Sequence, residues 1–332
     1  MQPDLPPEAR VLGLAGDYFI SRALHVAAEL GLADAIADQP LSAAAIATTV
    51  GADAGAVERI LRALETCGIF SRTPEGWAHS PASDRLRRAH PQTLADFVGM
   101  LGSEANWLSA GAMADGVRHG HCPAEKLFDG GLWGHFRRNP ADSAQFDAAM
   151  LAKSHAEIAG VTPVLDLEGV SLLADVGGGR GHFLCALLDR HPALQGLLLD
   201  QPQVVAGALP HPRMQTAGLD FFADDLPVAD AYLLANVIHD WDKPRALAIL
   251  RAVRAAAPAH ARLLLVEMVL PPVPVPHPGF SLDMVMLATT GGEERDAAGY
   301  AALLAEAGWA MQGVTPTQSP VSIVTAGLMA AK

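Results

Sequence analysis

The chain has 332 residues, half of them apolar and 18% charged, which is long enough for two domains with a large buried core. Its net charge of −13 disfavours nucleic acid and anionic membranes as partners. Three isolated cysteines, no secretory signal pattern and no apolar run of about 20 residues predict a cytoplasmic protein without a disulfide framework or a membrane span.

The N-terminal part is predicted to be helical. Residues 11–37 carry an apolar stripe wider than one small domain needs, which suggests a dimer interface; ordinary core packing is the alternative. A helix capped by Ser42, a second helix over Val57–Cys67, and a hairpin pairing Ile69–Arg72 with Gly76–His79 then outline a winged helix.

The charge on the second helix bears on what this winged helix does. Its charged residues sum to zero, whereas a DNA-recognition helix carries surplus positive charge: Glu58, Arg59, Arg62 and Glu65. We therefore predict a dimerisation or lid element, with DNA binding as the weaker alternative.

A polar connector over Ser83–Arg88 leads into a second predicted region. This region is helical from Pro91 to about Leu167, with breaks at Gly120–Pro123 and near Asn139. The predicted domain boundaries are residues 1–90 for the N-terminal domain, 91–167 for the helical connector and 168–332 for an α/β domain.

A glycine-rich turn opens the third region. Leu172–Val176 is a predicted strand, Gly177–Gly181 a turn and His182–Arg190 a helix, which is the first unit of a Rossmann-like sheet. Glycine allows the backbone to approach a ligand closely. The spacing Asp175-x-Gly177-x-Gly179-x-Gly181 fits S-adenosylmethionine (SAM) better than NAD, whose third glycine would fall at His182.

Polar residues follow several of the later strands. Asp200 ends a strand and could accept both ribose hydroxyls of a cofactor; at the next end, Phe221 could cover an adenine while Asp220 accepts its amino group. His239 follows a strand predicted over Asp230–Ile238, and acids near it would hold one ring nitrogen so that the other can act as a base.

The sequence contains two candidate partners for this histidine. Glu267 closes the next strand and Glu294 lies in a glycine turn, whereas backbone alternation predicts that Asp240 points away. Alternating strands and helices predict a mostly parallel sheet covered on both faces, which two strands near the C-terminus complete.

In this order, the motifs resemble those of the caffeic-acid-type O-methyltransferases, in the bacterial branch that modifies aromatic natural products. The motifs are Asp175-Val-Gly-Gly-Gly-Arg-Gly, Asp220-Phe-Phe, His239-Asp-Trp-Asp, Val266-Glu and Gly291-Gly-Glu-Glu-Arg. The resemblance implies a Rossmann-like class I methyltransferase domain with an all-α, winged-helix N-terminal dimerisation domain.

The resemblance also implies a set of functional residues. His239 would be the base, oriented by Glu267 and Glu294, and no metal would take part. SAM, released as S-adenosylhomocysteine, would be bound by a further set: Ser154, Asp175, Gly177, Gly179, Asp200, Asp220 and Phe221. An aromatic acceptor would be bound by another: Trp107, Phe146, Met150, Asn236, Asp283 and Met284. The family forms homodimers through the N-terminal domain.

Two positions depart from the plant pattern. Ala235 stands where that pattern has a lysine that contacts the cofactor, and Asn236 stands where it has a tryptophan. The acceptor is therefore not expected to be a phenylpropanoid. Three other functions are weighed against O-methylation of a phenol: a SAM-binding relative that hydroxylates or decarboxylates, an NAD-dependent oxidoreductase, and a winged-helix regulator.

Overall fold

The structure, a computed structural model, describes residues 6–329, and the chain divides into two compact units. The first unit runs to Trp107 and includes Asn139–Lys153, and the second contains Leu108–Arg138 and the chain from Ser154 onward. None of the helices within residues 6–329 has the length and apolar character needed to span a membrane.

The first unit is built from helices and one hairpin. In chain order these elements are α1 (Pro7–Glu29), α2 (Leu32–Ile36), α3 (Ala43–Val50), α4 (Ala54–Glu65), β1 (Phe70–Thr73), β2 (Gly76–His79), α5 (Pro81–Asp84), α6 (Ala95–Leu101) and α7 (Glu104–Gly111), which ends in the second unit. The predicted helix–helix–hairpin outline is present, and its core packs around buried Ile46, Leu61, Phe70 and Trp77.

Some boundaries differ from those predicted for this unit. The long N-terminal helix breaks at Gly31, which has a left-handed φ of 69°. Helix α4 begins at Ala54 because the Asp53 side chain accepts the Ala56 N–H at 2.8 Å and caps the helix earlier than predicted. The predicted polar connector begins with a short helix, and its Ser83 is fully buried in a capping box with Ser80.

The second unit contains a seven-stranded sheet and the helices around it. Its elements are α8 (Met113–His119), α9 (Pro123–Leu127), α10 (Gly131–Arg138), α11 (Pro140–Val161, which begins in the first unit), β3 (Leu172–Val176), α12 (His182–Arg190), β4 (Gln195–Asp200), α13 (Pro202–Val205), β5 (Met214–Gly218), β6 (Ala231–Ala235), α14 (Lys243–Ala256), β7 (Arg262–Glu267), β8 (Val269–Leu270), α15 (Pro278–Thr289), β9 (Arg295–Asp296), α16 (Ala297–Glu306), β10 (Trp309–Pro316) and β11 (Ser322–Leu328).

The sheet has the order β10-β11-β7-β6-β3-β4-β5. All neighbours from β7 to β5 are parallel, while β11 pairs antiparallel with both β7 and β10. β10 and β11 are the two strands predicted near the C-terminus. The carboxyl ends of β3, β4, β6 and β7 therefore lie along one edge, where ligands of open α/β sheets bind.

Both faces of the central strands β3, β6 and β7 are buried. On β6, Tyr232 and Leu234 belong to the core cluster that packs against α14 and α16, while Ala231 and Leu233 belong to the cluster on the α12 side. Successive side chains on a strand point to opposite faces, so these strands carry continuous apolar runs.

The strand that leads to His239 is shorter than predicted. β6 ends at Ala235, because Asn236 adopts a left-handed backbone with a φ of 53°. A short 3-10 turn then covers Ile238–Asp240. Pro202 and Pro278 lie in the first turns of α13 and α15, where the missing proline N–H would have no helical partner.

Candidate active site

The glycine turn after β3 has a backbone conformation that residues with side chains rarely adopt. Gly177, Gly179 and Gly181 all have left-handed φ values, of 72°, 60° and 82°. A Cβ at Gly178 would lie 2.4 Å from the Asp175 carboxylate carbon, whereas a Cβ at Gly179 would have no atom within 4 Å. The turn therefore closes over Asp175 on one side and leaves space beside Gly179.

Asp175 is a fully buried carboxylate on β3. Neither of its oxygens has a hydrogen-bond partner among the described residues. Burial, and to a smaller extent the charge of Asp200, raises the pKa of Asp175 to about 7. A buried carboxylate without donors is costly, so this site favours a ligand that carries positive charge or hydrogen-bond donors. The sulfonium and ammonium groups of SAM meet that requirement.

Asp200 lies at the end of β4 beside the glycine turn. Its carboxylate accepts the N–H groups of Gly179 at 2.8 Å and Gln201 at 2.7 Å. At the end of β5, Asp220 accepts the Phe222 N–H at 2.9 Å, which shapes the turn that presents Phe221. The predicted cofactor residues of these two strands thus lie on one edge of the sheet, and their carboxylates also order its loops.

His239 lies in a cluster of buried acids. Its Nδ1 is 2.6 Å from Glu294 Oε1 and 3.8 Å from Glu267 Oε2. Glu267 ends β7, next to β6, and its Oε1 accepts the N–H groups of Val237 and Ile238. The structure thus brings together the three residues that were predicted to form the base and its supports.

The loop that carries Glu294 is fixed to the backbone of His239. The His239 carbonyl oxygen accepts the Glu293 N–H at 2.9 Å. A Cβ at Gly292 would lie 1.8 Å from that oxygen, so only glycine allows this approach. This explains the second glycine of the Gly291-Gly292 pair.

Opposing effects act on the proton affinity of His239. Burial lowers the pKa of His239, but the negative charges of Glu267, Asp240 and Glu294 outweigh it and raise the pKa to about 9. Burial raises the pKa of Glu267 to about 7, against the opposing charge of His239. With Glu294 on Nδ1, the second ring nitrogen, Nε2, is the one available to exchange a proton with a substrate.

The prediction that Asp240 points away from His239 is wrong. Asp240 Oδ1 lies 3.7 Å from His239 Nε2. The prediction assumed strand alternation, but the backbone at Ile238–Asp240 forms a 3-10 turn, which places consecutive side chains closer together.

Three of the residues predicted to line the acceptor site, Asn236, Asp283 and Met284, differ in burial and in hydrogen-bond partners. Asp283 Oδ1 accepts the Glu294 N–H at 2.9 Å, so this half-buried carboxylate supports the Glu294 loop. One residue along α15, Met284 is 44% exposed. Asn236 donates from Nδ2 to Glu157 Oε2 at 2.8 Å, and Glu157 is buried.

The remaining predicted site residues are one cofactor residue in the second unit and three acceptor residues in the first unit. Ser154 is half-buried on α11, about one helical turn before Glu157. Trp107, Phe146 and Met150 belong to the first unit, where the guanidinium of Arg22 lies 5.5 Å above the Trp107 ring. Their assignment to the acceptor stays a prediction.

Sequence reasoning missed two residues near the proposed cofactor and base. Trp241 lies 6.0 Å from Phe221 in edge contact and 6.0 Å from Trp133 in stacked contact. Trp241 is the third residue of the His239-Asp-Trp-Asp motif, and its position two residues after the proposed base could have indicated that it lies near the site. Glu157 was also missed. It lies three positions after Ser154 on a predicted helix, and this spacing could have indicated that both residues lie on one helix face.

Comparisons with known proteins fit this geometry. An O-methyltransferase domain profile matches residues 111–310, and an O-methyltransferase dimerisation domain profile matches residues 12–88. The phenazine O-methyltransferase PhzM of Lysobacter antibioticus is 34% identical over 330 residues, covering 97% of this chain and 96% of its own length.

Solved structures extend the similarity to the fold. CalO1, a methyltransferase in calicheamicin biosynthesis solved in its SAH-bound form, matches with a TM-score of 0.87 and 30% identity, over 98% of this chain and 100% of its own. NcsB1, an O-methyltransferase from neocarzinostatin biosynthesis solved with SAM and 2-hydroxy-5-methyl naphthoic acid, matches with a TM-score of 0.77 and 32% identity, over 93% and 96% of the two chains.

These findings confirm the predicted resemblance, the class I methyltransferase fold and the use of SAM. They support methyl transfer over the non-methylating alternative. The N-terminal part carries a dimerisation domain. The chain belongs to the O-methyltransferase family and is a SAM-dependent O-methyltransferase.

Proposed function

We propose that this enzyme methylates a phenolic hydroxyl of an aromatic natural product, with His239 as the general base. The main observation in support of this proposal is the buried contact of 2.6 Å between His239 Nδ1 and Glu294 Oε1. This contact fixes the ring orientation and leaves Nε2 to accept the hydroxyl proton as the oxygen attacks.

The proton affinities of base and acceptor support this assignment. The pKa of His239 is raised to about 9 by its three acidic neighbours against the effect of burial. A phenol has a pKa of about 10, so the proton transfer is nearly balanced in free energy. The raised pKa makes His239 a stronger base, and its unprotonated fraction grows as the pH rises towards 9.

The remaining requirement is alignment. SAM supplies a methyl group on a sulfonium, which is already a good leaving group. The chain therefore has to hold the acceptor oxygen in line with that methyl group and to exclude water, and alignment alone can contribute several kcal/mol, roughly 7 or more. The burial of His239, Glu267 and Glu294 excludes water from the proposed base and its supports.

We assign the cofactor to the edge of the sheet at β3, β4 and β5. Asp175 and Asp200 offer carboxylates to it, Gly177 and Gly179 allow close approach, and Asp220 and Phe221 hold its adenine. Ser154 is assigned to its carboxylate end. The orphaned oxygens of Asp175 and the open space beside Gly179 support this placement.

We assign the acceptor to the six residues that the family resemblance implies: Asn236, Asp283, Met284, Trp107, Phe146 and Met150. The relatives bear names that refer to phenazine and to 2,7-dihydroxy-5-methyl-1-naphthoate, so we infer a fused-ring aromatic hydroxyl for this chain. Glu157 supports this region by fixing the Asn236 side chain.

The active form is proposed to be a homodimer joined through the N-terminal domain, residues 1–90. Helix α1 exposes an apolar surface that a second copy would cover: Val11, Leu12, Leu14, Tyr18 and Phe19. Residues 91–167 would form the helical connector and 168–332 the catalytic domain. The three cysteines are free thiols, which fits a cytoplasmic protein.

The test is transfer of isotopically labelled methyl from SAM to a panel of phenols, hydroxyphenazines and hydroxynaphthoates, read by mass spectrometry. We expect a product whose mass rises by one labelled methyl group on oxygen. Binding of SAM without labelled product from any phenolic acceptor would contradict the proposal.

A further inference from the structure

A cluster of three metal-ligating side chains lies outside the residues assigned to methyl transfer. Asp115, His119 and His121, all in the second unit, offer one ligand atom each, and these atoms lie within 4.8 Å of one another. His119 Nδ1 is 3.0 Å from Asp115 Oδ1, and His121 Nε2 is 3.1 Å from Asp115 Oδ2.

The local fold explains why these residues meet. Asp115 and His119 are four positions apart on α8 and so share one helix face. Gly120 ends the helix with a left-handed φ of 69° and turns the chain back. A Cβ at Gly116 would lie 2.8 Å from the His121 carbonyl oxygen, so this glycine lets His121 return alongside the helix.

Each imidazole directs one nitrogen at the Asp115 carboxylate, and His119 Nδ1 also lies 3.1 Å from the Asp115 carbonyl oxygen. The two rings lie 6.1 Å apart and nearly parallel, at 12°, with a nitrogen of each facing the same carboxylate. His121 directs its other nitrogen, Nδ1, at the Cys122 carbonyl oxygen, 3.4 Å away. Metal-binding histidines commonly donate their second ring N–H to such an oxygen, which fixes the tautomer.

The donor set indicates the kind of ion. Two imidazoles and one carboxylate suit Zn²⁺ and neighbouring divalent transition metals rather than Mg²⁺ or Ca²⁺. Ligands about 2.0–2.1 Å from a tetrahedral zinc are about 3.3 Å apart, close to the separations of Asp115 from each histidine.

We propose that Asp115, His119 and His121 form a surface site for one divalent transition-metal ion, with Zn²⁺ as the representative. The ion links the end of α8 to the segment that follows it. In that segment the buried Cys122 packs on the last turn of α15, with its Sγ 3.7 Å from the Ala288 carbonyl oxygen. The ion therefore stabilises this part of the fold and takes no part in methyl transfer.

The experiment is a titration of metal-free, tag-free protein with Zn²⁺ by calorimetry, and with Co²⁺ by visible absorption. The variants are His121→Ala and Asp115→Asn. The control is His260→Ala, which removes an exposed histidine that contacts one carboxylate, Asp230, at 2.9 Å. Circular dichroism shows whether each variant is folded.

We expect one Zn²⁺ per chain in the unaltered protein and in the control, and at least tenfold weaker binding in both site variants. Zn²⁺ should raise the Tm of the unaltered protein and of the His260→Ala control. It should not raise the Tm of the two site variants, because only a bound ion shifts the folding equilibrium. Equal Zn²⁺ affinity and Tm response in all four proteins, or no Zn²⁺ binding by the unaltered protein, would overturn the proposal.

Discussion

The Asp283 carboxylate accepts the backbone N–H of Glu294 at 2.9 Å. Asp283 was predicted to line the acceptor site, and this contact gives it a second task. It fixes the loop whose Glu294 side chain holds His239 at 2.6 Å. A residue of α15 is thus connected to the proposed base through one hydrogen bond and one side chain.

Replacing Asp283 separates these two tasks. Asp283→Asn keeps an oxygen that can accept the Glu294 N–H, whereas Asp283→Ala leaves that N–H without its partner, at a cost of roughly 1–3 kcal/mol. We expect kcat of Asp283→Ala to fall about 10- to 100-fold, and that of Asp283→Asn to fall far less. Steady-state kinetics of both variants measure the difference, and an equal loss in both would contradict a role in positioning the loop.

The activity should depend on pH through His239. The base must be unprotonated to accept a proton, and the acidic neighbours raise its pKa to about 9 against burial. We therefore expect kcat/KM to increase with pH from neutrality towards 9. A pH profile with its acid limb centred below the ordinary histidine pKa of about 6.5 would contradict this account.

Glu294→Gln tests the part of the raised His239 pKa that Glu294 contributes, beside the larger effect of Glu267. The glutamine keeps the size of the side chain and removes its charge, so the pKa of His239 should fall and the acid limb of kcat/KM should move to lower pH. We expect kcat at high pH to fall about 10- to 100-fold, because the ring is held less firmly. Glu293→Gln, which alters the neighbouring and more exposed acid, is the matched control and should leave the limb in place.

The glycine turn offers a paired test of where the cofactor lies. A Cβ at Gly178 would collide with Asp175 at 2.4 Å, so Gly178→Ala should destabilise the fold. An alanine at position 179 would have no protein atom within 4 Å of its Cβ, so Gly179→Ala should cost only about 1–2 kcal/mol for its left-handed backbone. We expect Gly179→Ala to remain folded but to bind SAM at least tenfold more weakly. Calorimetry with SAM checks this, and unchanged affinity would move the cofactor away from the turn.

Asn236 combines an unusual backbone with a buried contact. Its φ is 53°, and its side chain donates to Glu157. Asn236→Gly keeps the backbone conformation and loses the contact, whereas Asn236→Val also strains the backbone by about 1–2 kcal/mol. Urea unfolding should therefore rank Asn236→Val below Asn236→Gly in stability. The opposite order would show that the left-handed conformation is not required.

Most elements of the second unit could be predicted from the sequence, because their signals are local. The strand Leu172–Val176 and the helix His182–Arg190 have the predicted bounds, since apolar runs and a glycine turn define both. The pairing of His239 with Glu294 also followed from motif order, although 55 positions separate them.

Other features depended on tertiary structure or on subtle turns. The orientation of Asp240 was missed because a 3-10 turn and a strand end have the same apolar pattern before them. The Asp283 contact could not be predicted, because it joins a side chain to a backbone N–H, which any residue provides. The Asp115 cluster was missed because its third member follows a helix-ending glycine.

The central claim is that His239 is the base for methyl transfer, and His239→Ala tests it most directly. The measurement is single-turnover transfer of labelled methyl from SAM to an acceptor from the panel, with SAM affinity determined beside it. We predict that SAM affinity stays within a few-fold of that of the unaltered enzyme while the transfer rate falls about 10²- to 10⁴-fold. A transfer rate equal to that of the unaltered enzyme would contradict the account.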